Sequence, residues 1–303
     1  MKKKLLIICG PTAVGKTKLG IECAKIFNGE IISADCMQIY KHLDIGSAKA
    51  TTEEQSQAKH HLIDIIEPTD TYSVGDFKQD ATKIIQELYK HNKLPIIVGG
   101  TGFYIESLLF PYSFGNCPQN LEVREKYKNL ASEKGNDYVF EILKKVDPIS
   151  AEKLHPNDVK RVIRALEIYE TTGKPKSEQT LNKTSDYDYK ILLLNCDRDV
   201  LYERINKRVE LMLENGLENE VRKLVDSGLN RENQSMQGIG YKEFFDYFDS
   251  KISYEQLVEK IKQDSRNYAK RQITWFKHMQ NIEQVNIENF DEIINSIKKW
   301  LLN

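Results

Sequence analysis

The sequence lacks any apolar run near the ~20 residues that a membrane-spanning helix needs. The run behind Lys2-Lys3-Lys4 stops at Cys9, too short even for the core of a signal peptide. Neither charge is in excess: 44 Lys and Arg stand against 45 Asp and Glu, so any affinity for nucleic acid has to be local. The five cysteines are Cys9, Cys23, Cys36, Cys117 and Cys196. They are odd in number and form no CxxC pair, which leaves neither a disulfide framework nor a zinc site and implies a reducing, cytoplasmic setting. Internal repeats, low-complexity tracts and a proline-rich linker are missing too. Nothing calls for more than a monomer.

What is present is an alternation of short apolar runs and amphipathic stretches. Leu5–Cys9 is a continuous apolar run ending at Gly10-Pro11, the pattern of a buried parallel strand. A helix is expected over 16–27, a strand over 30–34, a further strand at Leu62–Ile66 and a helix over 76–91. Two more strands are expected at Leu94–Val98 and 190–195. This order implies an α/β fold: a P-loop NTPase-like parallel sheet core. Residues 114–187 have helical patterns and no buried strand, so they form an inserted helical domain between core segments 1–113 and 188–303. After Asn195 the chain reads as helical almost to its end.

Gly10, Pro11, Thr12, Ala13, Val14, Gly15, Lys16 and Thr17 match G-x-x-x-x-G-K-[ST] between a strand and a helix. In such a loop, backbone N–H groups and the helix N-terminus attract phosphate. Lys16 adds a mobile cation, and Thr17 adds a hydroxyl for an Mg2+ ion that the phosphates also hold. A kinase or ATPase should add an acidic magnesium ligand at the end of an apolar strand. Leu62-Ile63-Asp64 and Leu194-Asn195-Cys196-Asp197 match that pattern poorly. Instead, Asp35 follows the second strand, where the carboxyl ends of neighbouring strands share a crevice with the loop.

These residues, with others along the chain, resemble the tRNA dimethylallyltransferases. The matching segments include Ser33-Ala34-Asp35, Gln38-Ile39-Tyr40, Asp44 to Lys49, His60 to Asp64 and Val98 to Tyr104. They continue with Arg161 to Glu167, Gln237 to Glu243 and Tyr268 to Gln272. The resemblance implies transfer of a dimethylallyl group from dimethylallyl diphosphate to N6 of the adenosine at tRNA position 37, beside the anticodon, with Mg2+ required. It assigns the general base to Asp35 and the diphosphate–magnesium side to Thr12, Lys16 and Thr17. Arg204 and Arg208 resemble arginines near the diphosphate. Cys36, Met37, Gln38 and Thr101 match positions around the target nucleotide. Two of these depart from the family pattern: Met37 stands where Arg is usual, and Cys36 where Ser is usual.

Transfer RNA needs local basic surfaces. Lys160, Arg161, Val162, Ile163 and Arg164 form a candidate contact helix in the insertion, with Lys160 and Arg164 at i,i+4. Near the C-terminus, Lys262, Arg266 and Lys270 share a helix face. Residues 251–280 hold seven Lys and Arg against three Asp and Glu. His60 and His61 are adjacent on a strand and so point to opposite faces, which argues against a joint metal site. Three alternatives stay open: an adenylate-type isopentenyltransferase acting on a free nucleotide, a P-loop kinase or ATPase, and, because of Met37, a non-catalytic RNA-binding relative.

Overall fold

The computed structural model describes residues 2–110, 119–178 and 184–303. Cys117, and the parts of the expected insertion at 114–118 and 179–183, lie outside them. The chain divides into two compact units, Met1–Leu109 with Asp186–Asn303, and Phe110–Ser185. The sequence reading drew the corresponding boundaries at 114 and 187.

The first unit is built on a six-stranded sheet: β1 (Lys3–Cys9), β2 (Gly29–Ser33), β3 (His60–His61), β4 (Leu94–Gly99), β5 (Tyr187–Asn195) and β6 (Ile282–Asn286). The order is β3-β2-β4-β1-β5-β6, and every neighbouring pair is parallel. β1 lies inside the sheet, and Leu5 to Cys9 have no exposed surface. Leu6 and Ile8 join one core cluster with Leu19 and Cys23, Leu201 and Ile205, and Ile293 and Ile297. Leu5 and Ile7 point to the other face and are equally buried. Both faces are therefore covered, which is why the strand reads as a continuous apolar run rather than an alternating one.

The helices of this unit are α1 (Lys16–Ile26), α2 (Thr52–Gln57), α3 (Val74–Lys90) and α4 (Gly102–Leu109) before the insertion. The second unit holds α5 (Leu121–Lys134), α6 (Asn136–Val146), α7 (Pro148–Ala151) and α8 (Val159–Thr172). The chain returns to the first unit with α9 (Arg198–Glu214), α10 (Leu217–Asp226), α11 (Phe244–Phe248), α12 (Tyr254–Lys277) and α13 (Phe290–Leu302). Local signals account for several starts: α2, α3 and α12 each open on a capping box, at Thr51, Ser73 and Ser253. Among the described residues, no helix is long and apolar enough to cross a membrane.

The second unit has its own core of Tyr127, Val139, Phe140, Leu143, Val162 and Leu166. It also buries a carboxylate. Glu167, with no exposed surface, accepts from Arg164 at 2.6 Å, from Arg124 Nε at 3.0 Å and from the Asn120 backbone at 2.7 Å.

Two local expectations are corrected. Leu62–Ile66 is not a strand: Leu62 and Asp64 adopt φ of 60° and 56°, a turning backbone. The ladder stops at His60 and His61, and beyond it only an isolated parallel bridge joins Ile66 to Tyr40. The C-terminal region is not wholly helical, because Ile282–Asn286 adds β6 beside β5. That edge strand is short and half-exposed, so it carries little apolar signal.

Candidate active site

Three strand ends meet at the site. β1 runs into the Gly10–Thr17 loop, β2 into Asp35, and β4 into Gly100-Thr101. Gly15, at φ 99°, makes the tight entry into α1 that a side chain would strain. Lys16 folds back on its own loop, its Nζ donating to the Pro11 carbonyl at 2.7 Å. Burial and the neighbouring Arg208 guanidinium pull its ammonium down to about 8, against the attraction of Asp35. Val14 turns away into the hydrophobic core.

Asp35 closes an Asx-type turn: its Oδ1 accepts from the backbone of Met37 at 2.9 Å and of Gln38 at 3.4 Å. Burial pushes its carboxyl above the ordinary value, opposed by those N–H groups and by the charges of Lys16 and Arg208. Thr101 is fixed beside it. Its backbone donates to the Ala34 carbonyl at 3.1 Å, and its Oγ1 accepts from the Cys36 backbone at 3.2 Å. Burial and the Asp35 charge push the Cys36 thiol up to about 11, so it stays protonated. The Gln38 side chain is structural: it accepts from Ser33 and donates to the Ala48 carbonyl at 3.2 Å.

Two further residues, Tyr268 and Gln272, complete the site from α12. Gln272 accepts from the Thr12 backbone at 2.9 Å and donates to the Gly100 carbonyl at 3.0 Å, tying the β1 and β4 loops together. A Cβ on Gly100 would fall 2.1 Å from the Gln272 amide nitrogen, so a side chain there would push that amide off the Gly100 carbonyl. The Tyr268 hydroxyl lies close to Thr101, Asp35 and Cys36. The sequence reading weighted Lys270 and Arg266 on this helix and missed both residues. The available signal was their i,i+4 spacing, which puts them on one face.

A cavity of about 750 Å³ is lined by Thr12, Lys16, Thr17, Asp35, Arg208 and Gln272, among others. A second, of about 390 Å³, shares Thr12, Asp35, Arg208 and Tyr268 and extends past Met37, Val209 and Ile239. A polar chamber thus leads into a more apolar one, and Asp35 stands at the junction. Arg208 reaches the Thr12 hydroxyl at 3.4 Å. Arg204, one turn earlier, is exposed and lines neither cavity.

The expected tRNA-facing residues separate into groups. Val162 and Ile163 are buried in the core of their own unit, because they occupy the apolar side of α8. Arg164 is engaged by Glu167, whereas Lys160 and Arg161 are exposed. On α12, Arg266 is held by Asn206 and Glu259, and Lys262 by Glu210. Lys270 and Arg271 remain exposed, with Arg271 lying 5.6 Å from the Tyr268 ring centre.

A metal would find few protein ligands. Among the described residues, no group of three His, Cys, Asp or Glu side chains can hold one. The Thr17 hydroxyl at the polar chamber fits a magnesium ion ligated mainly by phosphate oxygens and water.

Fold and site together define an α/β protein of the P-loop type, in which loop-borne cations face a half-buried carboxylate instead of a strand-end magnesium ligand. Residues 38–279 match the family model described as IPP transferase, and the chain belongs to that family. It is 48% identical to the tRNA dimethylallyltransferase of Acetivibrio thermocellus, over 98% of this chain and 97% of that one. The tRNA dimethylallyltransferase of Bacillus mycoides is 48% identical over 98% of this chain and 95% of its own length. Among solved structures, the tRNA isopentenylpyrophosphate transferase of Bacillus halodurans is 42% identical, with a TM-score of 0.76 and coverage of 99% and 97%. A eukaryotic dimethylallyltransferase acting on tRNA superposes with a TM-score of 0.81 at 32% identity, covering 95% of this chain and 76% of that one.

Proposed function

We propose that this chain transfers a dimethylallyl group from dimethylallyl diphosphate to N6 of adenosine 37 in tRNA, releasing diphosphate. The observation that carries the reading is the junction at Asp35, with cations on its polar side and an apolar chamber on the other. The relatives named tRNA dimethylallyltransferase support it along the whole chain.

In this mechanism Lys16, Arg208 and the loop backbone bind the diphosphate and stabilise it as it leaves, the main electrostatic task. Magnesium, held by diphosphate oxygens and Thr17, would add positive charge to the same leaving group. The departing bond leaves an electron-poor allylic carbon at the junction. Adenine N6 attacks it weakly, because its lone pair is delocalised into the ring. Asp35 takes the N6 proton as the new C–N bond forms. Its raised proton affinity makes it a better base than an exposed aspartate, while Lys16 and Arg208 keep it ionised. Thr101 and Tyr268 border the space for the adenine, which has to leave its stack to enter. Lys160 and Arg161 of the insertion, with Lys270, take tRNA backbone phosphates.

The test is mass analysis of nucleosides after incubating the protein with tRNA, dimethylallyl diphosphate and magnesium. N6-dimethylallyladenosine in an anticodon stem-loop is expected, and none from free AMP. Prenylation of AMP, or rapid ATP turnover lost with Lys16→Ala, would overturn the assignment.

A further inference from the structure

Gln237–Glu243 takes no part in the chemistry above, yet it is tightly tied. The Tyr241 hydroxyl donates to Glu220 at 2.7 Å, and Glu220 also accepts from the backbones of Asp44, Ile45 and Gly46 at 2.8–3.1 Å. Gly238, Ile239 and Gly240 form a wall of the smaller chamber. A Cβ on Gly238 would lie 2.5 Å from Met37 Cε, so the turn closes directly on the segment that follows Asp35.

At the foot of this turn sits Glu243, 1% exposed. Its Oε2 accepts from the Gly240 backbone at 2.8 Å. Its Oε1 is buried with no hydrogen-bond donor. Facing it is another carboxyl, Asp264 of α12. The Lys242 ammonium stands 3.5 Å from Glu243 Oε1 and 3.5 Å from Asp264 Oδ2, ion-pair distances rather than hydrogen bonds. The other cations around the adjoining cavity of about 310 Å³ are engaged elsewhere. Lys260 binds Asp246, and Arg231 binds Asp246 and Asp249. Glu243 is buried while Asp264 is part-exposed; two facing anions repel, and a buried acceptor without a donor is costly. One proton removes both problems, because it turns an acceptor pair into a donor and an acceptor.

We infer that Glu243 and Asp264 hold a single proton between them, and that this proton seats the Gly238–Gly240 turn against Met37, making Glu243 a positioning residue for the apolar chamber. Burial, followed by the Asp264 contact, pushes the Glu243 carboxyl up to about 7, against the Gly240 N–H and Lys242. An isolated glutamate titrates near 4.5. Between those values the folded chain therefore binds more protons than the unfolded one. The stabilisation is complete below the lower value and declines as pH rises to the upper one. Above it the proton passes to solvent, and the two anions push the turn off Met37.

The inference rests on the proposed reaction only in its kinetic arm. The experiment is a carboxyl ¹³C NMR titration of the full chain, with steady-state kinetics at pH 6 and 8. One carboxyl step of the pair should appear near 7. Glu243→Gln, which keeps a donor without the charge, should abolish that step and preserve both the KM for dimethylallyl diphosphate and the exchange protection of the Gly240 amide. Glu243→Ala should raise that KM about tenfold and change kcat by less than about threefold. The idea is overturned if both carboxyls titrate below about 5, or if Glu243→Gln behaves like Glu243→Ala. A wild type that shows the step near 7 but transfers no prenyl group would sink the reaction and not the pair.

Discussion

Asp35 and Lys16 pull each other's protons in opposite senses, and that sets a pH profile. Asp35 must be ionised to accept the N6 proton, so kcat/KM should rise as pH passes its raised value. Lys16 must be charged to meet the diphosphate, so kcat/KM should fall above about 8. Measured in the Glu243→Gln background, the proposed carboxyl pair does not contribute. Whatever activity Lys16→Arg retains should lack the alkaline limb, since a guanidinium keeps its proton there. Asp35→Asn should lower kcat ~10²–10⁴-fold with tRNA affinity nearly intact. Near-normal turnover by that variant would remove Asp35 as the base.

The elements show how far local reading reaches. β1 and its loop were legible because eight consecutive residues carry the motif and the strand is buried on both faces. β6 was not, because Ile282–Asn286 owes its place to a neighbour some ninety positions earlier. Tyr268 and Gln272 stood in plain sequence, but their partners Thr101, Thr12 and Gly100 are distant. The basic face of α12 is partly engaged by distant partners in the same way: Glu210 and Asn206, which hold Lys262 and Arg266, belong to α9. In the insertion, Glu167 looked like an ordinary helix glutamate, yet it holds α5 to α8 through Arg124 and Arg164. Removing one partner of a buried charge cluster costs ~3–5 kcal/mol. Glu167→Ala should therefore speed proteolysis within the second unit by well over tenfold while sparing the sheet core. Those two arginines and the Asn120 backbone hold the Glu167 carboxyl below its ordinary value, although burial works the other way. This contribution is present at neutral pH and is lost as pH falls through that lowered value. Unchanged proteolysis would mean the cluster is idle.

At the scale of the molecule, a neutral protein is asked to hold a polyanion. Many of its described cations, Lys262 and Arg266 among them, are paired with carboxylates, which makes the salt dependence of tRNA binding informative. Each neutralised phosphate of a single strand contributes a slope of about −0.7 in log affinity against log salt. The double variant Lys160→Ala, Arg161→Ala should flatten the slope by about 1.4, two such phosphates. Lys262→Ala should leave it nearly unchanged, since Glu210 already neutralises that side chain. Equal flattening by both variants would show that α12 meets tRNA through its whole basic face.

Gln272 also has a bearing on how the protein is made. It follows Thr12, whose backbone it clasps, by 260 residues. A ribosome finishes the phosphate loop long before it delivers the clasp. β5, which covers the open side of β1, arrives after the insertion. A stalled or clipped chain therefore displays the loop while lacking its bracket to Gly100, Tyr268 at the junction and the partner strand. Such fragments should bind prenyl donor poorly.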